Sequence, residues 1–174
     1  MTSFLTDEQQ SLADEIAALL TARGETVAVA ETTAGGLVSA ALLRVPGASR
    51  YYLGGGVMYT RASRIALAGQ PAELYANYQG TTPALLDSLA EAMRLRLSAT
   101  WCIAESGLAG PGPSRSGVPA GRTTLSVAGP VSRSEVVETG LDDRAENMSA
   151  FTTLALHFLR DAILDAPPAS AAPA

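Results

Sequence analysis

Residues 26–30 read Thr-Val-Ala-Val-Ala, an unbroken apolar run of strand length that stops abruptly at Glu31-Thr32-Thr33-Ala34-Gly35-Gly36. A strand without polar alternation has both faces covered, so the chain must place helices on either side of a sheet. Thr6-Asp7-Glu8-Gln9 has the spacing of a capping box. Leu12, Ile16, Leu19 and Leu20 follow at helical intervals, and Gly24 supplies the stop. Leu37, Val38, Ala41, Leu42 and Val45 predict a second helix that ends before Pro46-Gly47. Residues 51–60 read as a strand weakened by Gly54-Gly55-Gly56, which implies a bend or a close backbone approach. A short helix over 61–68 closes at Gly69, and Thr82-Pro83 opens another whose buried side carries Leu86, Leu89, Met93 and Leu97. Residues 101–105 form a third apolar strand. Residues 123–128 and 135–139, around Gly129-Pro130, predict a hairpin, and Met148, Phe151, Ala155, Phe158 and Ala162 mark a last helix. This order predicts an α/β fold, a three-layer α/β/α sandwich whose mixed sheet carries an antiparallel edge. Residues 1–165 are read as a single domain and the Ala- and Pro-rich 166–174 as a disordered tail.

The 174 residues suit one domain, and with aromatics at only 5% the interior must be built mainly from Ala, Leu, Val and Gly. The formal net charge is −5 and the arginines are scattered, which argues against nucleic acid and anionic membrane as partners. There is no apolar stretch of the ~20 residues that span a bilayer, and no basic-then-apolar leader, so cytoplasmic residence is expected. The single cysteine, Cys102, excludes an intrachain disulfide and a multi-cysteine metal site; it reads as a buried structural thiol. His157, the one histidine, reads as a partly packed helix residue. No metal and no cofactor is expected.

Ligands of such sheets collect beyond the carboxyl ends of strands. Three junctions qualify: 31–36, 59–64 and 105–112. In the first, Glu31 ends a strand, Thr32 and Thr33 follow, and Gly35-Gly36 opens a helix whose free N–H groups suit an anion or oxyanion. The alternative is an ordinary helix cap. In the third, Ser106-Gly107-Leu108-Ala109-Gly110-Pro111-Gly112 suits a backbone cradle for phosphate or a plain turn. It lacks the Gly-Lys-Ser/Thr ending of a nucleotide P-loop, so ATP hydrolysis gains no support.

Together these segments resemble the C-terminal domain of the CinA family. Ala30-Glu31-Thr32-Thr33-Ala34-Gly35-Gly36 is similar to its Ala-Glu-Ser-Cys-Thr-Gly-Gly. Tyr59-Thr60-Arg61-Ala62-Ser63-Arg64 stands where a tyrosine precedes Ser-Asn-Glu-Ala-Lys. Residues 106–112 are similar to Thr/Ser-Gly-Ile-Ala-Gly-Pro, and Asp143-Arg144 falls at the late Gly-Asp-Arg. The resemblance spans about residues 7–164. It implies hydrolysis of the carboxamide of nicotinamide mononucleotide to the nicotinate nucleotide and ammonia, without metal, in a homo-oligomer. The nucleophile would be Thr32, with Tyr59 assisting and Arg64 in place of the lysine base. Glu31, Thr33, Gly35, Gly36, Glu105, Ser106, Gly107, Gly110 and Arg144 would contact substrate.

The departures matter chemically. Thr32 keeps a hydroxyl but adds a methyl that crowds attack, and a guanidinium at 64 does not give up its proton to act as a base. Ala34 and Met148 replace a threonine and an arginine, and Glu105 replaces an apolar residue. Glu105 is expected either to pair with Arg64 or to point to solvent. Two functions stay open: an amidohydrolase in which Tyr59 or Glu31 helps move the proton, and a protein that binds a nucleotide or other phosphorylated ligand as sensor or partner.

Overall fold

A computed structural model describes residues 3–167. Its elements are α1 (Asp7–Arg23), β1 (Val27–Glu31), α2 (Leu37–Arg44), β2 (Tyr52–Val57), α3 (Arg61–Ala68), α4 (Pro83–Arg96), β3 (Trp101–Leu108), β4 (Arg122–Ala128), β5 (Arg133–Glu138) and α5 (Arg144–Asp165), with short 3₁₀ turns at 48–50 and 72–75. The sheet order is β2-β1-β3-β4-β5. β2 and β3 run parallel to β1, while β4 and β5 add an antiparallel edge. The expected three-layer sandwich is therefore what the chain forms.

Strand alternation sorts the interior into two cores. Val27, Val29, Trp101 and Ile103 pack with α1, α2 and α5. Ala28, Ala30, Cys102 and Ala104 face the other way, onto α4 and Met58. The small alanines on that second face let α4 sit close, which compensates for the shortage of aromatics. Trp101 Nε1 donates to Glu25 Oε2 at 2.7 Å, so the large indole is buried with its polar atom satisfied. Cys102 is fully buried and burial pushes its thiol up, as an inert structural cysteine requires. His157 lies 2.8 Å from Glu8 Oε1 on the exposed α1–α5 seam.

Helix ends follow the predicted chemistry. Thr6 and Gln9 complete the capping box of α1, with Gly24 in the left-handed region at its end. Thr60 and Ser63 cap α3 in the same reciprocal way, and Thr82 with Pro83 starts α4.

The hairpin strands start one and two residues earlier than read, and three further boundaries differ from the sequence reading. The strand predicted over 51–60 is shorter, because the chain turns at Thr60 to cap α3. The strand predicted over 101–105 is longer: β4 pairs with it as far as Leu108↔Arg122, so Ser106 and Gly107 belong to the sheet and not to a loop. The predicted tail starts inside the core, since Ala166 is buried and its carbonyl accepts from Arg23 Nη1 at 3.1 Å. The rest of that tail, 168–174, lies outside the described residues.

The glycine run in β2 has a packing cause. A Cβ on Gly55 would collide with the carbonyl oxygen of Val29 on the neighbouring strand. Gly55→Ala must therefore push β2 off β1, and a loss of about 1–3 kcal/mol is expected in thermal or denaturant melts. A variant as stable as the wild type would show that β2 shifts without penalty.

Candidate functional site

β1, β2 and β3 are parallel; β1 and β2 end together, with Glu31 opposite both Val57 and Glu105, and β3 runs on to Leu108. The three junctions thus share one edge of the sheet. What their side chains do there depends on which face each strand residue takes.

Glu31, Glu105 and Gly107 point towards α2 and α5, whereas Ser106 points towards α3 and α4. Glu31 is buried and wraps its carboxylate over the start of α2. Its Oε2 accepts from Gly36 N at 2.9 Å and Val38 N at 3.2 Å, and its Oε1 from Ser39 N at 3.1 Å and Ser39 Oγ at 2.6 Å. Gly36, with φ of 101°, makes the left-handed turn that aims these groups at the carboxylate. Glu31 is accordingly the cap of α2, and the helix-start donors offered by the sequence to a ligand are already bonded. The carboxylate that the sequence offered as a proton mover or substrate contact is engaged in these four bonds.

Glu105 does the same one step earlier. Only 1% exposed, it accepts from Ala34 N at 2.8 Å and Thr32 N at 3.2 Å through Oε2, and from Thr123 Oγ1 at 3.2 Å through Oε1. Burial pushes its carboxyl up to about 7, opposed by the bonds from Ala34, Thr32 and Thr123 and reinforced by nearby Glu31. The expected pair with Arg64 does not form, and neither does the solvent-facing alternative. Consecutive residues of a strand face opposite ways, so Glu105 is on one side of the sheet and Arg64 meets its neighbour Ser106 on the other.

Arg64 is 3% exposed, and its guanidinium lies along the α3–α4 side of β3. Nε donates to Met58 O at 3.3 Å, Nη1 to Thr81 Oγ1 at 3.3 Å and Nη2 to Ser106 Oγ at 2.8 Å. Ser106 Oγ is 2.8 Å from Thr81 Oγ1, which is 2.9 Å from Tyr78 Oη. The guanidinium also stands 5.7 Å from the Tyr78 ring centroid, with Arg61 at 6.0 Å from that ring. A chain of hydroxyls therefore leads from Arg64 to the wall of a cleft of about 1070 Å³, which Arg61, Tyr78, Thr81, Ser106, Arg115 and Arg122 help to line.

A second, smaller cleft of about 160 Å³ adjoins it, and Gly107, Leu108 and Ser114 border both. Thr33, Tyr59, Gly110 and Arg144 complete the smaller one. Tyr59 is 58% exposed and accepts from Arg144 Nη2 at 3.3 Å, while Arg144 Nη1 donates to Gly110 O at 3.0 Å. Thr33 Oγ1 bonds both the N–H and the carbonyl of Gly107, each at 2.8 Å, and ties the first junction to the third. Thr32 is buried behind it, its hydroxyl 3.1 Å from Thr33 Oγ1. Met148 packs its methyl over Gly35, where a Cβ would approach it to 2.8 Å.

Of the residues expected to converge, Tyr59, Thr33, Gly107, Gly110 and Arg144 do so at the smaller cleft and Ser106 at the larger, with Arg64 buried behind Ser106. Glu31, Glu105 and Thr32 are buried behind the walls, while Gly35 is exposed and Gly36 half-buried, and neither lines a cleft. Tyr78, Thr81, Arg61, Arg115 and Arg122 were not anticipated. Arg61 opens α3, and the other four sit in the polar stretches 71–82 and 111–122, which carry no periodicity to mark them. Asn147 was missed as well: buried, it donates to Ala109 O and Leu141 O, both at 3.0 Å, and holds the glycine-rich loop against α5. No group of three or more His, Cys, Asp or Glu among the described residues is arranged to hold a metal, and no described helix is long and apolar enough to cross a membrane.

A mixed sheet covered on both faces, with adjoining clefts beyond the ends of its parallel strands, defines an α/β/α sandwich protein whose site is built from hydroxyls and arginines. Residues 9–163 match the CinA C-terminal domain, and the chain belongs to that family. It is 43% identical over 123 residues to a CinA-like protein of Prochlorococcus marinus, covering 71% of this chain and 29% of that one. With a CinA-like protein of Anaeromyxobacter dehalogenans it shares 36% over 150 residues, 85% of this chain and 37% of the relative. The chain thus spans only about a third of the curated relatives it matches. Among solved structures, the competence/damage inducible protein CihA of Agrobacterium tumefaciens superposes with a TM-score of 0.84 at 26% identity, covering 94% and 100% of the two chains. A Klebsiella pneumoniae competence damage-inducible protein A has the same fold, with a TM-score of 0.84 at 23% identity.

Proposed function

We propose that this CinA-family chain binds a phosphorylated small molecule of the nicotinamide mononucleotide type in its two clefts, without the serine–lysine chemistry that the family resemblance implies. The observation that carries this reading is the seat of Arg64. A guanidinium in place of the lysine holds Ser106 and Thr81 at the floor of the larger cleft, where it polarises hydroxyls but cannot take a proton from one. Arg61, Arg115 and Arg122 give the same cleft the charge and the forked donors that a phosphate needs. Tyr78 offers a ring and a hydroxyl beside them, and Arg144 with Tyr59 provides a further polar corner at the smaller cleft.

Slow hydrolysis of the same nucleotide is the second reading. It is favoured by the hydroxyl that persists at Thr32, 3.1 Å from Thr33, which itself lines a cleft. Calorimetric titration with nicotinamide mononucleotide tests the first. Arg64→Met, which keeps the length and loses the charge, is expected to weaken binding about 10–100-fold through loss of the hydrogen bonds that hold Thr81 and Ser106 at the cleft. Equal affinity in a folded Arg64→Met variant, or no binding by the wild type, would overturn the assignment.

A further inference from the structure

We propose that Glu105 is a resident oxyanion: its carboxylate fills the pair of backbone donors at Thr32 and Ala34 and closes that site to the oxygen of any ligand. The inference does not depend on which molecule enters the clefts, because it concerns donors behind their walls.

The geometry has three parts. A single oxygen, Oε2, receives both N–H groups, from Ala34 at 2.8 Å and from Thr32 at 3.2 Å, as a bound anion in a backbone nest would. The other oxygen is anchored by Thr123 Oγ1 at 3.2 Å from β4, so the carboxylate is held from two directions. The third is burial. Glu105 is 1% exposed, and a charge in such a place persists only when hydrogen bonds replace its water. Among the described residues no cation bonds it: the charged neighbour is Glu31 on β1, which makes ionisation harder. On β4, Leu125 stands opposite Glu105 and Thr123 bonds it, and neither carries a charge. The 32–34 turn therefore keeps the shape of an anion site while its occupant comes from the chain itself. Met148 packs its methyl against Gly35, the next residue of the same turn, which stays exposed.

Removing the carboxylate should recreate an anion site. Formate is the probe, small enough for the space that Glu105→Ala leaves. Sodium formate in large excess over its dissociation constant is expected to raise the Tm of Glu105→Ala by about 3–5 °C relative to sodium chloride at equal ionic strength, and to leave the wild type unchanged. A folded Glu105→Ala with no formate-specific rise, or an equal rise in the wild type, overturns the proposal. If the variant does not fold, the wild type decides the matter by NMR. The amide protons of Thr32 and Ala34 should then shift together as Glu105 takes up its proton. Amides that stay fixed while the Glu105 carboxyl carbon titrates would refute the occupancy.

Discussion

Combining Thr32→Ser, Arg64→Lys and Glu105→Leu is expected to raise ammonia release from nicotinamide mononucleotide by at least about 10³-fold over the wild type, in proportion to what a general base and an oxyanion donor each contribute. The pair Thr32→Ser and Arg64→Lys alone should gain less than about a tenth of that. The pair supplies a less crowded hydroxyl and a group able to give up a proton. It leaves the Thr32 and Ala34 N–H groups bonded to Glu105, so a developing oxyanion finds no donors there. Only the third change frees them, because it removes the carboxylate that accepts from both. A coupled ammonia assay on the three proteins separates the possibilities. Equal rates for the pair and the triple variant would show that Glu105 is no obstacle.

Stability should report the buried carboxylate directly. Glu105 has its carboxyl raised from 4.5 to about 7, so the folded protein holds this proton more tightly than the unfolded chain does. Below about pH 4.5 both states are protonated and the group contributes nothing. As pH rises towards 7 the unfolded state ionises first, and folding stability falls. Above 7 the full cost of ionising the buried group remains, about 3 kcal/mol at 1.36 kcal/mol per pH unit. Glu105→Gln removes that titration while keeping an oxygen for the two N–H donors. The variant should therefore gain on the wild type by about 3 kcal/mol between pH 4.5 and 8, measured by urea unfolding at steps across that range. A difference between the two proteins that does not change with pH would mean that Glu105 is not strained by its burial.

The layers of the fold were legible because they rest on local signals. The apolar run 26–30, the capping box at Thr6 and Gln9, and Thr82-Pro83 each specify an element through backbone chemistry alone. The end of β3 was not legible. Nothing in Ser106-Gly107-Leu108 distinguishes a turn from a strand until β4 arrives to bond it, and that partner lies more than ten residues away along the chain. The candidate site divides in the same way. That Tyr59, Arg64 and the 106–112 segment share an edge followed from strand order and the family resemblance. That Glu105 and Ser106 serve opposite faces is a matter of strand phase, fixed only once β3 is known to continue through both. The error over a Glu105–Arg64 pair has this one cause. Tyr78 and Thr81 escaped because an aperiodic polar stretch gives no sign of which side chains turn inward.

Glu31 teaches a related point. A carboxylate at a strand end beside two threonines invites a catalytic reading, yet the four hydrogen bonds it accepts from Gly36, Val38 and Ser39 account for it as a helix cap. Donors at the start of a helix serve a ligand only when no nearby carboxylate has already taken them.

The most direct measurement is the fate of nicotinamide mononucleotide incubated with the wild-type protein at a concentration where calorimetry shows it bound. The nucleotide should be recovered intact, with ammonia no higher than in the protein-free control. Stoichiometric or catalytic formation of the nicotinate nucleotide, abolished by Thr32→Ala, would show that the hydroxyl at 32 still reaches a substrate carbonyl.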